Sequence, residues 1–328
     1  MAGPLLQTFA IARNAFAEAI RQPFYVVWLL TVGGLIILAP YLAAYTFDDD
    51  AQFALVMMLS MIQAGGLILA GVLPALVVRR EIDNHTAITI VSKPVGRPVF
   101  VVGKFLGVAG AGLLVVWSWS VLFWLMDRHG VLMTATSPID WPVITFGTIA
   151  IGLALAAGLT SSYLFRRPFG SAFAKVLALT LPVAWVAVLL LGKGFEPQSP
   201  LTDLAPQTLA ATVVLWLMVL VMTGVAVAAS IRLALVPALV VVIVVAGLGF
   251  TSDYFFGTAE FGAGLGQTVQ ATLYRALPNL QFLFLADALT QGSPITPAYL
   301  GYVLGYSALM TVAALCLAVA LFQTRQVN

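Results

Sequence analysis

The chain has 328 residues, of which 61% are hydrophobic and 9% charged, with a formal net charge of +2 and a mean hydropathy of +1.04. A soluble domain carries roughly a quarter charged residues. Composition therefore excludes a soluble globular protein and points to an integral membrane protein, with no charge excess that would suggest nucleic acid. The single cysteine, Cys316, excludes an intrachain disulfide and a cysteine-rich metal site.

The first 23 residues lack the apolar core of a signal peptide. On a helical wheel Leu5, Phe9, Ala12, Phe16 and Ile20 share one face, with Gln7, Asn14, Glu18 and Arg21 opposite. That pattern predicts an amphipathic interface helix over 1–23, polar side toward the cytoplasm, serving as an anchor or as a contact for a cytoplasmic partner. Apolar runs follow at 24–46, 52–78, 98–126, 141–165, 171–191, 207–230, 233–250 and 297–323. A helix of about 20 apolar residues crosses the hydrocarbon core, so the expectation is an all-α polytopic transmembrane bundle of about eight spans. A six-span bundle in which 207–250 dips in and back as a re-entrant hairpin keeps the same parity.

Lys and Arg orient these spans. With the N-terminus inside, only Arg128, Lys193 and Arg275 of the fifteen basic residues fall outside, which places both termini in the cytoplasm. The bias is steep up to Lys175 and even beyond it. Trp28, Tyr41, Tyr45, Trp124, Trp141, Tyr163 and Tyr254 fit an interfacial aromatic belt, whereas Trp117 and Trp119 fall deeper and read as core packing.

The segment 79–104 is a charged, turn-rich island between two apolar runs. Arg79, Arg80 and Glu81 open it, a short helix can run to Ala87, and Pro94 and Pro98 break any helix between them. Lys104 begins the next span near the headgroups, where its stem can snorkel. Such a loop either sets topology through its charge or accepts force from a soluble partner. At the far end of the chain, 251–296 is long for an external loop. Its amphipathic piece 265–277 and apolar piece 281–289, hinged at Pro278, are too short to span and read as helices lying on or dipping into the outer leaflet. They either cap an exit path or pack on the bundle.

No Asp, Glu, Lys, Arg or His lies near the middle of any of these runs. A charge there costs at least ~2.5–3.5 kcal/mol and usually serves an ion path, which argues against an ion-coupled transporter. Gly96 and Gly103-Lys104 are spaced too widely for a phosphate loop, and Phe105 stands where a magnesium-binding Ser or Thr is needed. His85 and His129 fall on opposite sides of the membrane, and Asp48-Asp49-Asp50 reads as a solvated turn. The chain is expected to have no catalytic, cofactor or metal site of its own, so any ATP and Mg would be handled elsewhere.

The residue order Glu81, Thr86, Ser92-Lys93-Pro94-Val95-Gly96-Arg97 and Gly103-Lys104 resembles the first cytoplasmic loop of the ABC type-2 transporter permeases, with Val91 in place of the usual Leu. Leu277-Pro278-Asn279-Leu280 with Phe282, and Leu321-Phe322 with Arg325, agree with it, as does the interface helix ahead of the first span. The resemblance implies a permease subunit of an ABC exporter that docks a separate ATP-binding subunit and works as a dimer with a second copy or paralogue. It further implies a partner-coupling surface made by Arg13 and Glu18 of the first helix with Arg79, Arg80, Glu81, Thr86, Ser92, Lys93, Pro94, Arg97 and Lys104. Glu81 would meet the ATPase and Arg97 would brace the loop. Six spans are common in that family, so 207–250 stands out as an insertion. An amphiphilic substrate and a bacterial inner membrane are the expectations. A membrane scaffold that anchors an ATPase or an assembly complex without transporting is the alternative.

Overall fold

The computed structural model describes residues 3–43, 50–83, 96–131, 139–257 and 265–323, and side chains for the same residues except 79–83 and 265–267. Among them the fold is a helical bundle with no strand, save an isolated bridge between Leu191 and Pro197. The helices are α1 (Pro4–Ala19), α2 (Pro23–Ala43), α3 (Asp50–Asp83), α4 (Arg97–His129), α5 (Trp141–Phe165), α6 (Phe169–Leu189), α7 (Pro206–Arg232), α8 (Leu235–Phe250), α9 (Ser252–Phe256), α10 (Leu265–Ala276), α11 (Ala286–Thr290) and α12 (Pro297–Gln323).

Seven of these, α2 to α7 and α12, are long and apolar enough to cross a membrane, which makes the chain a multi-pass helical membrane protein. The predicted run 233–250 departs from expectation. Leu233 and Ala234 are extended and form the turn after α7, leaving α8 with 16 residues, about 24 Å of helix. The re-entrant alternative also changes, because α7 is a full 27-residue helix and only α8 is short.

α4 and α7 form the centre of the bundle and bury the largest shares of their apolar windows, 67% and 72%. Trp117, Trp119 and Trp216 of these helices, with Trp28 of α2, are fixed by hydrogen bonds to neighbouring groups, whereas the buried Trp124 Nε1 has no such partner among the described residues. Trp119 donates to the Leu29 carbonyl at 3.0 Å and Trp117 to the Ala178 carbonyl at 3.0 Å. Trp28 reaches the Gly65 carbonyl at 2.9 Å, and Trp216 the Ser120 hydroxyl at 3.0 Å. An indole N–H in an apolar interior needs such a partner. Packing therefore accounts for Trp117 and Trp119 as expected, and it also claims Trp28 and the buried Trp124, which sequence had placed in the belt. Trp141 and Tyr163 are exposed and suit that belt.

α1 and the last turn of α12 lie at the same end of the bundle. Arg97, at the start of α4, donates to the Gln323 carbonyl at 2.8 Å, and Arg232, at the end of α7, donates to the Leu321 carbonyl at 3.1 Å. α1 packs along the first half of α4 at this same end. At the far end Gln207 accepts from the Ile295 amide at 2.7 Å.

Candidate coupling surface and buried polar sites

α1 is seated in a groove made by two glycines of α4. A Cβ on Gly107 would lie 2.3 Å from the Ala12 carbonyl oxygen and 2.6 Å from the Ala15 Cβ; one on Gly103 would lie 2.8 Å from the Ile11 Cβ. Small residues four apart let two helix backbones approach this closely, and Ala15 and Ala19 are fully buried as a result. The apolar side of α1 is therefore divided. Its small residues face α4, while Leu5 and Phe9 remain 85% and 68% exposed, placed to enter the membrane interface.

Lys104 lies beneath this contact. It is 2% exposed, its Nζ 3.9 Å from a Glu18 carboxylate oxygen and 5.9 Å from the Phe100 ring centroid. The expected snorkelling gives way to burial because α1 covers the position a headgroup would take. Of the residues assigned to a partner surface, Glu18 and Lys104 are brought together and tie α1 to α4. Arg97 braces the end of α12, and Arg13 is exposed on α1. Arg79, Arg80 and Glu81 belong to the last turn of α3. Thr86, Ser92, Lys93 and Pro94 lie outside the described residues, as do His85, Asp48, Asp49 and Arg325. At the elbow between α1 and α2, Asn14, Glu18, Arg21 and Gln22 line an open polar hollow of 430 Å³.

Two polar sites at the opposite side of the bundle were not anticipated. In the first, Arg128 at the end of α4 reaches Asp140 at 3.3 Å and Asp203 at 3.1 Å, and its two Nη atoms donate to the Val188 and Leu191 carbonyls. Asp140, fully buried, also caps α5 by accepting from the Val143 amide at 3.1 Å. One guanidinium thus ties α4 to three segments, the start of α5, the end of α6 and the stretch around Asp203, which its planar fork of donors permits and a lysine would not.

The second site is built by Asp253, Tyr274, Asn279 and Gln281 with Tyr306 of α12. Tyr274 donates to Asp253 at 2.8 Å, and the Asn279 side-chain amide donates to the same oxygen at 2.7 Å. The Asn279 backbone amide donates to the Tyr306 hydroxyl at 2.6 Å, while its side-chain oxygen accepts from the Gln281 amide at 3.0 Å. The bond to Asp253 raises the Tyr274 pKa further above its ordinary value, so this hydroxyl stays a donor at neutral pH. Tyr306 is nine residues into α12, about 14 Å from its start. A Cβ on Gly249, at the end of α8, would lie 2.5 Å from the Pro278 carbonyl oxygen. The segment expected on or in the outer leaflet therefore dips deeply enough to meet the truncated end of α8. It carries Asp253 with it, an acidic group that sequence placed outside every span.

No protein-family model matches the chain, and no curated protein matches it.

Proposed function

We propose that this chain is the membrane-spanning half of an ABC-type exporter, worked as a two-fold dimer by a separate ATP-hydrolysing subunit that grips the α1 end. The observation that carries this reading is the seating of α1 on α4. A partner pushing on α1 would act on backbone packed against the backbone of α4, with no soft side-chain layer between them. α4 runs for 33 residues, and Arg128 locks its other end to the segments around Asp140, Leu191 and Asp203. A tilt imposed at one face is delivered to the other as rigid-body motion, the common mode of such switching. The exposed Arg13 and the polar hollow at the α1–α2 elbow offer charged and hydrogen-bonding groups to the motor subunit.

The dimer follows from the same reading, since one bundle has no symmetric path and closed oligomers favour a two-fold axis. An amphiphilic cargo suits the apolar interior. The test is co-expression with the product of a neighbouring gene that carries a phosphate loop, followed by reconstitution. A stable complex whose ATP hydrolysis drives solute movement, and in which Glu81→Ala leaves hydrolysis running but stops movement, supports the proposal. Gradient-driven uptake by the chain alone overturns it. A complex that hydrolyses ATP and moves nothing favours the scaffold alternative.

A further inference from the structure

We propose that the groove between α7, α8 and α12 holds one acyl chain of an anionic phospholipid, with the lipid phosphate against Arg232. The groove has a volume of 490 Å³, within the ~300–1,000 Å³ usual for ligand sites. Every side chain lining it is apolar; Val225, Val241, Met310 and Leu317 are representative. A polar solute entering here would leave its hydrogen bonds unmet, at several kcal/mol. Leu317 is 55% exposed, so the groove opens sideways, in the direction from which a lipid arrives.

The dimensions fit one leaflet. Along α12 the lining runs from Leu321 to Met310, eleven residues or about 16 Å, which is half of the ~30 Å hydrocarbon core. The groove is then closed by Ala276, Leu277 and Pro278, held in place by the Asn279 hydrogen bonds to Asp253 and Tyr306. An apolar slot of this length accepts an acyl tail.

Charge at the mouth selects the headgroup. Leu233 and Leu321 line the open end. Arg232 is exposed there, with its Nε on the Leu321 carbonyl, and Arg97 is exposed beside it on the Gln323 carbonyl. Two guanidiniums at headgroup level favour phosphate, by charge and by geometry.

The experiment is native mass spectrometry of the full chain in detergent, titrated with phosphatidylglycerol, phosphatidylcholine of the same chain length, or glycerol phosphate. Phosphatidylglycerol should bind best and glycerol phosphate should not bind. Arg232→Gln should weaken phosphatidylglycerol about fivefold and phosphatidylcholine, whose choline offsets its phosphate charge, by less. Ala313→Trp, at an exposed position on the groove wall, should remove both lipids. Should that variant fail to fold, Met310→Cys in a Cys316→Ser background gives an independent readout, its alkylation by an apolar maleimide slowing when phosphatidylglycerol is added. Equal binding of both lipids, binding unaffected by Ala313→Trp, or alkylation unaffected by phosphatidylglycerol overturns the proposal. So does a dimer mass that Ala313→Trp abolishes, because the groove would then be an interface between copies.

Discussion

Arg128 shows how much can rest on a single residue in an apolar protein. Its side chain is 7% exposed and Asp140 is fully buried, while Asp203 keeps 32% exposure. Removing one member of a buried pair leaves the other charge without compensation, at about 3–5 kcal/mol. Arg128→Met should therefore lower the thermal unfolding midpoint sharply. Arg128→Lys should restore the charge but not the bonds to both backbone carbonyls, and so recover only part of the loss. Asp203→Asn, at the partly exposed partner, should cost about 1 kcal/mol or less. Similar midpoints for all three variants would show that the cluster has no structural role. Sequence placed Arg128 outside the cytoplasmic set but treated it as a topological charge. Its partners are 12 and 75 residues away in sequence, at separations no local pattern reveals.

At the scale of elements, most of the bundle was legible because apolar runs of this length have few alternatives in lipid. The backbone must satisfy its own hydrogen bonds, and a helix does so within one segment. Boundaries moved where turns recruit apolar residues, as Leu233 and Ala234 do before α8. Gly103 and Gly107 were visible as glycines four apart, yet nothing local indicated that their occupant was α1 from the start of the chain. The same gap hid the pairing of Glu18 with Lys104.

The seating of α1 is directly testable. Gly107→Leu places a side chain where the Ala12 carbonyl now lies, and α1 must lift. In a Cys316→Ser background, Ala15→Cys should resist thiol reagents, since Ala15 is fully buried. Adding Gly107→Leu should raise its labelling rate at least tenfold. Equal rates would mean that α1 is not held by this groove. Asn279 offers a second test. Asn279→Leu removes the bonds to Asp253 and to the Gln281 amide, each worth about 1–3 kcal/mol when a partner is left unmet, and should raise hydrogen exchange across 277–283. Asn279→Asp should be worse at neutral pH, because two carboxylates would face each other. It should improve as pH falls, since one shared proton relieves that repulsion. A pH-independent defect would contradict the contact.

For the molecule as a whole, the unusual feature is parity. Seven helices are long enough to cross, an odd number that would by itself leave the two chain ends on opposite sides. Yet Arg97 reaches Gln323 and Arg232 reaches Leu321, so α12 ends where α4 begins. A crossing completed between α8, about 24 Å long, and the residues around Asn279 bonded to Tyr306 would restore even parity. Because neither part spans alone, their junction must be polar and hydrogen-bonded, and Asp253, Tyr274 and Asn279 supply that chemistry where a continuous helix would have carried apolar residues. Reporters fused to the two chain ends should therefore occupy the same compartment. Ser293→Cys in a Cys316→Ser background should react with an impermeant thiol reagent from the other, since Ser293 is exposed two residues from the contact of Ile295 with Gln207. Chain ends reporting opposite compartments would mean that α8 and its junction do not complete a crossing, and the polar cluster would then need another explanation.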